Sequence, residues 1–140
     1  MIYSTDGLSF VRTPVQLFLV KTNEVRFWPY FGSEGRWVAV GRNNFPSRCI
    51  LWSDDGISWT GHTGSDCSSS GFTHGFGMCY GAGTLMAVGQ PAAAGSAIMT
   101  SNNGTHFVPQ ASLGSGPVHA CSYSPAHSRC VNSQSHCLIS

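Results

Sequence analysis

The amino-acid sequence predicts an all-β chain built from a repeated unit, and three observations predict it. A short pattern, Ser-x-(Asp/Asn)-Gly-x-x-aromatic, occurs three times without gaps, as Ser4–Phe10, Ser53–Trp59 and Ser101–Phe107. The intervals are 53 − 4 = 49 and 101 − 53 = 48 residues. A second motif keeps that spacing: Gly35-Arg36-Trp37-Val38-Ala39-Val40-Gly41 aligns with Gly83-Thr84-Leu85-Met86-Ala87-Val88-Gly89, and 89 − 41 = 48. The third observation is composition. The chain has 17 glycines and is 41% hydrophobic but only 9% charged, against roughly 25% charged in an average domain. Short apolar runs separated by many small, turn-forming residues are the makings of an all-β architecture.

Each repeat reads as four strands. In the first complete unit these are Val25–Phe31, Arg36–Val40, Arg48–Ser53 and Ile57–Thr60, rich in β-branched and aromatic residues. In the second they are Gly75–Tyr80, Thr84–Val88, Ser96–Ser101 and Thr105–Val108. Asp-Gly or Asn-Gly between two such runs signals a hairpin: glycine supplies positive φ, and the Asp or Asn side chain folds back onto backbone N–H groups. The connections Gly61–Gly71 and Gln110–Pro117 are glycine- and serine-rich. Tyr30-Phe31-Gly32 corresponds loosely to Cys79-Tyr80-Gly81, and a degraded further copy runs from Cys121-Ser122-Tyr123 to Cys130-Val131-Asn132. No segment carries sustained helical periodicity. Four short strands every 40–50 residues is the period of a β-propeller blade. The expected division is the end of one blade in 1–24, blades in 25–71 and 72–116, and the start of another in 117–140. That amounts to about three four-stranded antiparallel blades in one partial propeller.

The repeated turn resembles the Asp-box, or BNR repeat, of sialidases and of many non-enzymatic propellers. The usual Asp-box has one residue between Asp and Gly. Here Asp6-Gly7, Asp55-Gly56 and Asn103-Gly104 are adjacent, so the resemblance is to a shortened variant. It implies that Asp6, Asp55 and Asn103 cap the turn between the third and fourth strands. Ser4, Ser53 and Ser101 would hydrogen-bond within the turn, next to Gly7, Gly56 and Gly104. Phe10, Trp59 and Phe107 would pack between adjacent blades. The resemblance implies structure rather than chemistry, because the Asp-box sits on the rim, and propellers host hydrolases, lectins and adaptors alike.

The formal charge is +1 and the seven cations are scattered, which argues against nucleic acid or acidic lipid partners. The longest apolar run, Val15–Val20, is far short of the roughly 20 residues of a membrane-spanning helix. Met1–Asp6 lacks the basic and apolar regions of a secretory signal. A sialidase resemblance implies an arginine triad, a tyrosine–glutamate nucleophile pair and an aspartate acid. The chain has two glutamates, Glu24 and Glu34, and four tyrosines, Tyr3, Tyr30, Tyr80 and Tyr123. The Phe-Arg-Ile-Pro signature is missing; Val11-Arg12-Thr13-Pro14 is a faint echo that follows a repeat turn instead of preceding the first one. No catalytic residue, cofactor or metal site is assigned. His119, Cys121, His127, Cys130, His136 and Cys137 crowd the last part of the chain, but without the spacings of a zinc site. The six cysteines are read as buried thiols, with disulfides as the alternative. Asn103-Gly104-Thr105 is a glycosylation sequon that coincides with a turn and is read as turn chemistry. Of the tryptophans, Trp37 and Trp52 are expected to pack in the core and Trp28, beside Pro29, to be exposed.

The reading that follows is a non-enzymatic propeller segment serving as a binding or assembly platform, its ligand a protein or glycan. The alternatives are a piece of a sialidase-like glycoside hydrolase and a glycan-binding propeller. Three blades do not close a ring of the usual four to eight. Either further blades of the same protein complete it, or a second copy does, as a homodimer. The degraded last copy favours the former.

Overall fold

The computed structural model describes residues 2–13, 21–31, 34–42, 49–61, 71–93, 95–111, 116–126 and 129–134. The chain is all-β, with no helix among these residues. Twelve strands follow in order: β1 Ile2–Tyr3, β2 Val11–Arg12, β3 Lys21–Trp28, β4 Arg36–Arg42, β5 Ile50–Ser53, β6 Thr60–Gly61, β7 Phe72–Gly81, β8 Thr84–Pro91, β9 Ile98–Ser101, β10 Val108–Pro109, β11 Val118–Ser124 and β12 Arg129–Gln134. Eight of them, β3 to β10, form one strongly curled antiparallel sheet. Within it β3-β4-β5-β6 and β7-β8-β9-β10 are consecutive hydrogen-bonded neighbours, each a four-stranded meander. A single pair, Arg42 opposite His74, joins the two. The hairpins β1–β2 and β11–β12 are separate two-stranded sheets.

The registers of the two meanders run alike. β4 pairs with β5 through Trp37↔Ser53, Val38↔Trp52, Ala39↔Leu51 and Val40↔Ile50. β8 pairs with β9 through Leu85↔Ser101, Met86↔Thr100, Ala87↔Met99 and Val88↔Ile98. The second strands carry continuous buried runs, Val38 to Gly41 in β4 and Leu85 to Gly89 in β8, in place of the alternation of a strand with one wet face. The cause is burial on both sides. Val38, Val40, Ile50 and Cys49 of the first meander pack against Met78, Leu85, Ala87, Met99 and Phe107 of the second. On the second meander's other face, Cys79, Met86, Val88 and Ala97 cluster with Val118 of β11. On the first meander's other face, Ala39, Leu51 and Trp59 form a smaller cluster. Each fully buried aliphatic side chain contributes about 1.5–3 kcal/mol, so the layer between the meanders is the main apolar store of the fold.

The fourth strands begin later than expected, at Thr60 and Val108 instead of Ile57 and Thr105. The residues between are used up in the turn, whose Asp or Asn side chain accepts their N–H groups. Arg48 and most of the connection Gly61–Gly71 lie outside the described residues. Trp37 is exposed at 37%, not in the core as expected, because nothing among the described residues covers that face of β4 beyond the β1 segment. Trp28 and Trp52 are half-buried. Cys49 is buried and disulfide-bonded, so the disulfide alternative holds for it. No helix of the described residues is long and apolar enough to cross a membrane.

Close backbone approach explains Gly41. A Cβ there would lie 2.1 Å from the Lys21 carbonyl oxygen and 2.9 Å from Thr22 Cα, and backbone cannot swing aside. Gly41→Ala is expected to lower stability by about 1–3 kcal/mol, as overpacking does. Gly116→Ala, whose Cβ would meet open space, should change it by no more than about 0.5 kcal/mol. Urea unfolding midpoints of the two variants check the pair.

Candidate functional site

Three turns share one hydrogen-bond scheme. In the first, Ser4 Oγ donates to Asp6 Oδ1 at 2.9 Å and accepts from Gly7 N at 2.8 Å, while Leu8 N and Ser9 N both donate to Asp6 Oδ1 at 2.8 Å. In the second, Ser53 Oγ donates to Asp55 Oδ1 at 2.9 Å, and Gly56 N, Ile57 N and Ser58 N bind the same two oxygens in the same order. In the third, Ser101, Asn103, Gly104, Thr105 and His106 repeat it with an amide oxygen as acceptor. Gly7, Gly56 and Gly104 have φ of 74°, 74° and 73°, the left-handed region that a side chain resists. The aromatic ending each turn differs in burial: Trp59 and Phe107 are buried, whereas Phe10 is 63% exposed.

Neighbouring elements tie the turns down. Arg36 is half-buried; its guanidinium lies 4.7 Å from the centre of the Trp52 ring and pairs with Asp54 at 2.7 Å. It also donates to the Asn103 carbonyl at 2.7 Å, linking the first meander to the second meander's turn. Gly104 packs so near Phe31 that a Cβ would stand 2.9 Å from its ring.

The richest constellation of side chains lies where β3, β7 and β11 approach one another. Tyr30 stacks on Tyr80 with ring centres 4.9 Å apart and planes 6° from parallel. Phe31 meets Tyr80 edge-on at 5.5 Å, and Trp28 meets it at 5.6 Å. The Arg26 guanidinium sits 6.0 Å from the centre of the Trp28 ring. Beside them opens a cavity of about 410 Å³ bordered by Arg26, Trp28, Tyr80, Ser122 and Tyr123. Trp28 Nε1 is buried with no hydrogen-bond partner among the described residues. A buried donor left unsatisfied costs about 1–3 kcal/mol. Glu24, half-buried, is committed: its carboxylate accepts from Met78 N at 2.6 Å and pairs with Arg26. Glu34 is exposed. A second cleft, of about 540 Å³, separates Ile2, Tyr3 and Thr5 from Val25, Trp37 and Ile57.

Among the described residues no group of three His, Cys, Asp or Glu is placed to hold a metal. His119 stacks on Phe76 at 4.9 Å, and the Cys121 thiol points at the Met86 carbonyl. His127, His136 and Cys137 lie outside the described residues. The tyrosine cluster is the feature that sequence reasoning missed. Its trace in the sequence is the aromatic run Trp28-Pro29-Tyr30-Phe31, whose partner Tyr80 comes from β7.

The two aspartate turns differ electrostatically from the asparagine turn. Hydrogen bonds from Ser9 N and Leu8 N hold the Asp6 carboxyl well below its ordinary range, and those from Ser58 N and Ile57 N do the same for Asp55. A carboxylate whose folded pKa is depressed stabilises the fold above its unfolded value, about 3.9. That contribution disappears as pH falls through the lowered folded value. Asp55→Asn, which copies the Asn103 turn, is expected to leave stability at neutral pH nearly unchanged and to flatten its decline below the carboxylate range. Asp55→Ala should lower stability at neutral pH. Urea titrations from neutral to acidic pH separate the three proteins. No protein-family model, curated protein or solved structure matches this chain.

Proposed function

We propose that the chain is a stretch of β-propeller with a shortened Asp-box in each blade, and that it works as a non-enzymatic platform. The observation that carries this is the pair of four-stranded meanders with like registers, each closed by the same Ser–Asp/Asn–Gly turn. In this reading β3–β6 and β7–β10 are two blades, β1–β2 the outer half of one before them, and β11–β12 the inner half of one after. The platform's working surface is the end where the first and second strands connect. There the connections vary in length: residues 29–35 in the first blade, 82–83 in the second and 125–128 in the next. Repeat proteins place their recognition loops where length and sequence are free to change. The tyrosine cluster and the unsatisfied Trp28 donor lie at that end. The commitment of Glu24 to Met78 N and Arg26 supports a platform over a glycoside hydrolase.

Lengthening the Ala82-Gly83 connection to match residues 29–35 is expected to cost no more than about 1 kcal/mol, since loop closure depends weakly on length. Failure of that variant to fold would count against a repeat scaffold with a free loop end. One observation favours a glycan as the ligand: Tyr30, 68% exposed, is stacked flat on Tyr80. A sugar offers C–H faces to such rings. Binding on an array of defined glycans that drops at least tenfold in Tyr30→Ala supports that choice, and an array without signal leaves a protein partner.

A further inference from the structure

We infer that Cys79 and Cys121 form a dithiol site that reacts with a small-molecule disulfide and closes into a cross-link between β7 and β11. The inference does not depend on the repeat reading. It rests on how these two strands face each other.

Two glycines of β7 fix which residues of β11 lie against it. A Cβ on Gly77 would stand 3.4 Å from the His119 carbonyl oxygen and 3.7 Å from Ala120 Cα, and a Cβ on Gly81 would overlap the Tyr123 ring. Gly77, Cys79 and Gly81 share one face of β7, because side chains alternate along a strand and the pairing with β8 is regular over this stretch. Their neighbours on β11 advance from His119 and Ala120 to Tyr123, so Cys79, midway, faces Cys121. Packing agrees. Cys79 sits in one apolar cluster with Met86, Val88, Ala97 and Val118, and Cys121 packs against that cluster. The Cys121 sulfur is 3.8 Å from the carbonyl oxygen of Met86, the residue opposite Cys79 on β8. A disulfide needs Cα atoms about 4.4–6.8 Å apart, well under the roughly 10 Å between ordinary stacked sheets. The glycines on either side of Cys79 are what allow the backbones to come so near.

Both residues are thiols, whereas Cys49 is disulfide-bonded. Both border the 410 Å³ cavity, but unequally: Cys121 is half-buried and Cys79 is 5% exposed. Cys121 therefore meets a disulfide entering the cavity first. Its thiol gives up a proton and the sulfur attacks one sulfur of the incoming molecule, whose S–S bond breaks. One small thiol leaves and Cys121 is held as a mixed disulfide. Cys79 then gives up its proton and attacks the Cys121 sulfur, the second small thiol leaves, and the Cys79–Cys121 bond forms. The two cysteines together lose two protons and two electrons, and the small disulfide is reduced to two thiols. The bond closes a loop of 121 − 79 = 42 residues, which restricts the unfolded chain. It also fastens the β11–β12 hairpin to the second meander, to which no strand pairing joins it among the described residues.

Incubation of the folded full chain with oxidised glutathione, followed by peptide mapping under non-reducing conditions, tests the inference. The expected product is a pair of peptides joined through Cys79 and Cys121, in a protein two hydrogens lighter that retains no glutathione. Its urea unfolding midpoint is expected to rise above that of the untreated chain. Cys79→Ser is expected to keep one glutathione on Cys121, because the second attack is lost. Cys121→Ala, at the less buried of the two positions, is expected to form no link and to show no rise in midpoint, and it serves even where Cys79→Ser does not fold. Glutathione left on Cys121 of the unsubstituted chain overturns the inference, as does a Cys79–Cys121 link that forms only in denaturing urea. A folded chain in which neither thiol reacts overturns it as well.

Discussion

At three places, between β1 and β2, β5 and β6, and β9 and β10, the chain turns from a short strand into its antiparallel partner, and at each a serine hydroxyl and an Asp or Asn oxygen take the place of backbone acceptors. The Asp or Asn oxygen receives two consecutive N–H groups, and the serine oxygen receives the glycine N–H. Nothing outside the seven-residue segment is needed to satisfy those groups. The turn therefore sets where the closing aromatic falls. In the two complete meanders this is Trp59 or Phe107, delivered to a buried site. Trp59 confirms the fit by donating from its indole nitrogen to Gly56 O at 3.0 Å, inside the same turn.

Packing then builds outward from these anchored edges. β8 is buried on both faces, and β4 on the face that carries Val38 and Val40, with Ala39 buried among Leu51 and Trp59 on the other, so apolar residues run together along these strands instead of alternating. The cost of such a strand is that it has no solvent side on which to place charge, which accounts for much of the low charge content. Charge survives at the strand ends. Arg36 and Arg42 flank β4, and Arg36 covers the Trp52 ring while reaching across to Asn103. Arginine suits this place because its flat guanidinium stacks and donates in several directions at once.

The sequence shows the second and third strands and the turns clearly, because their signals are local: a β-branched run, an Asp-Gly pair, a serine three residues before the glycine. The strands expected at Arg36–Val40 and Arg48–Ser53 are found at Arg36–Arg42 and Ile50–Ser53, with Arg48 outside the described residues. The start of the fourth strand was less legible, since Ile57 and Thr105 are good strand residues whose amides the turn claims first. Trp37 was misjudged for a different reason. Its strand is buried on one face by another part of the chain, and which face that is depends on the neighbour, not on β4 itself. The tyrosine cluster was not legible because Tyr80 lies far along the chain from Trp28, Tyr30 and Phe31 and meets them only where β3 and β7 converge.

The join between the two meanders has a chemical character of its own. Among the described residues its one backbone pairing sets His74 against Arg42. Burial, and secondarily the charge of Arg42, lowers the pKa of His74 from the ordinary histidine range, so the folded protein prefers the neutral ring. Stability from this source is whole above about pH 6.5, the unperturbed histidine value, and declines as pH falls through the lowered one. The turn carboxylates of Asp6 and Asp55 stay ionised to far more acidic conditions. On acidification, then, the contribution of His74 at the join between the meanders is lost under milder conditions than that of the turn carboxylates.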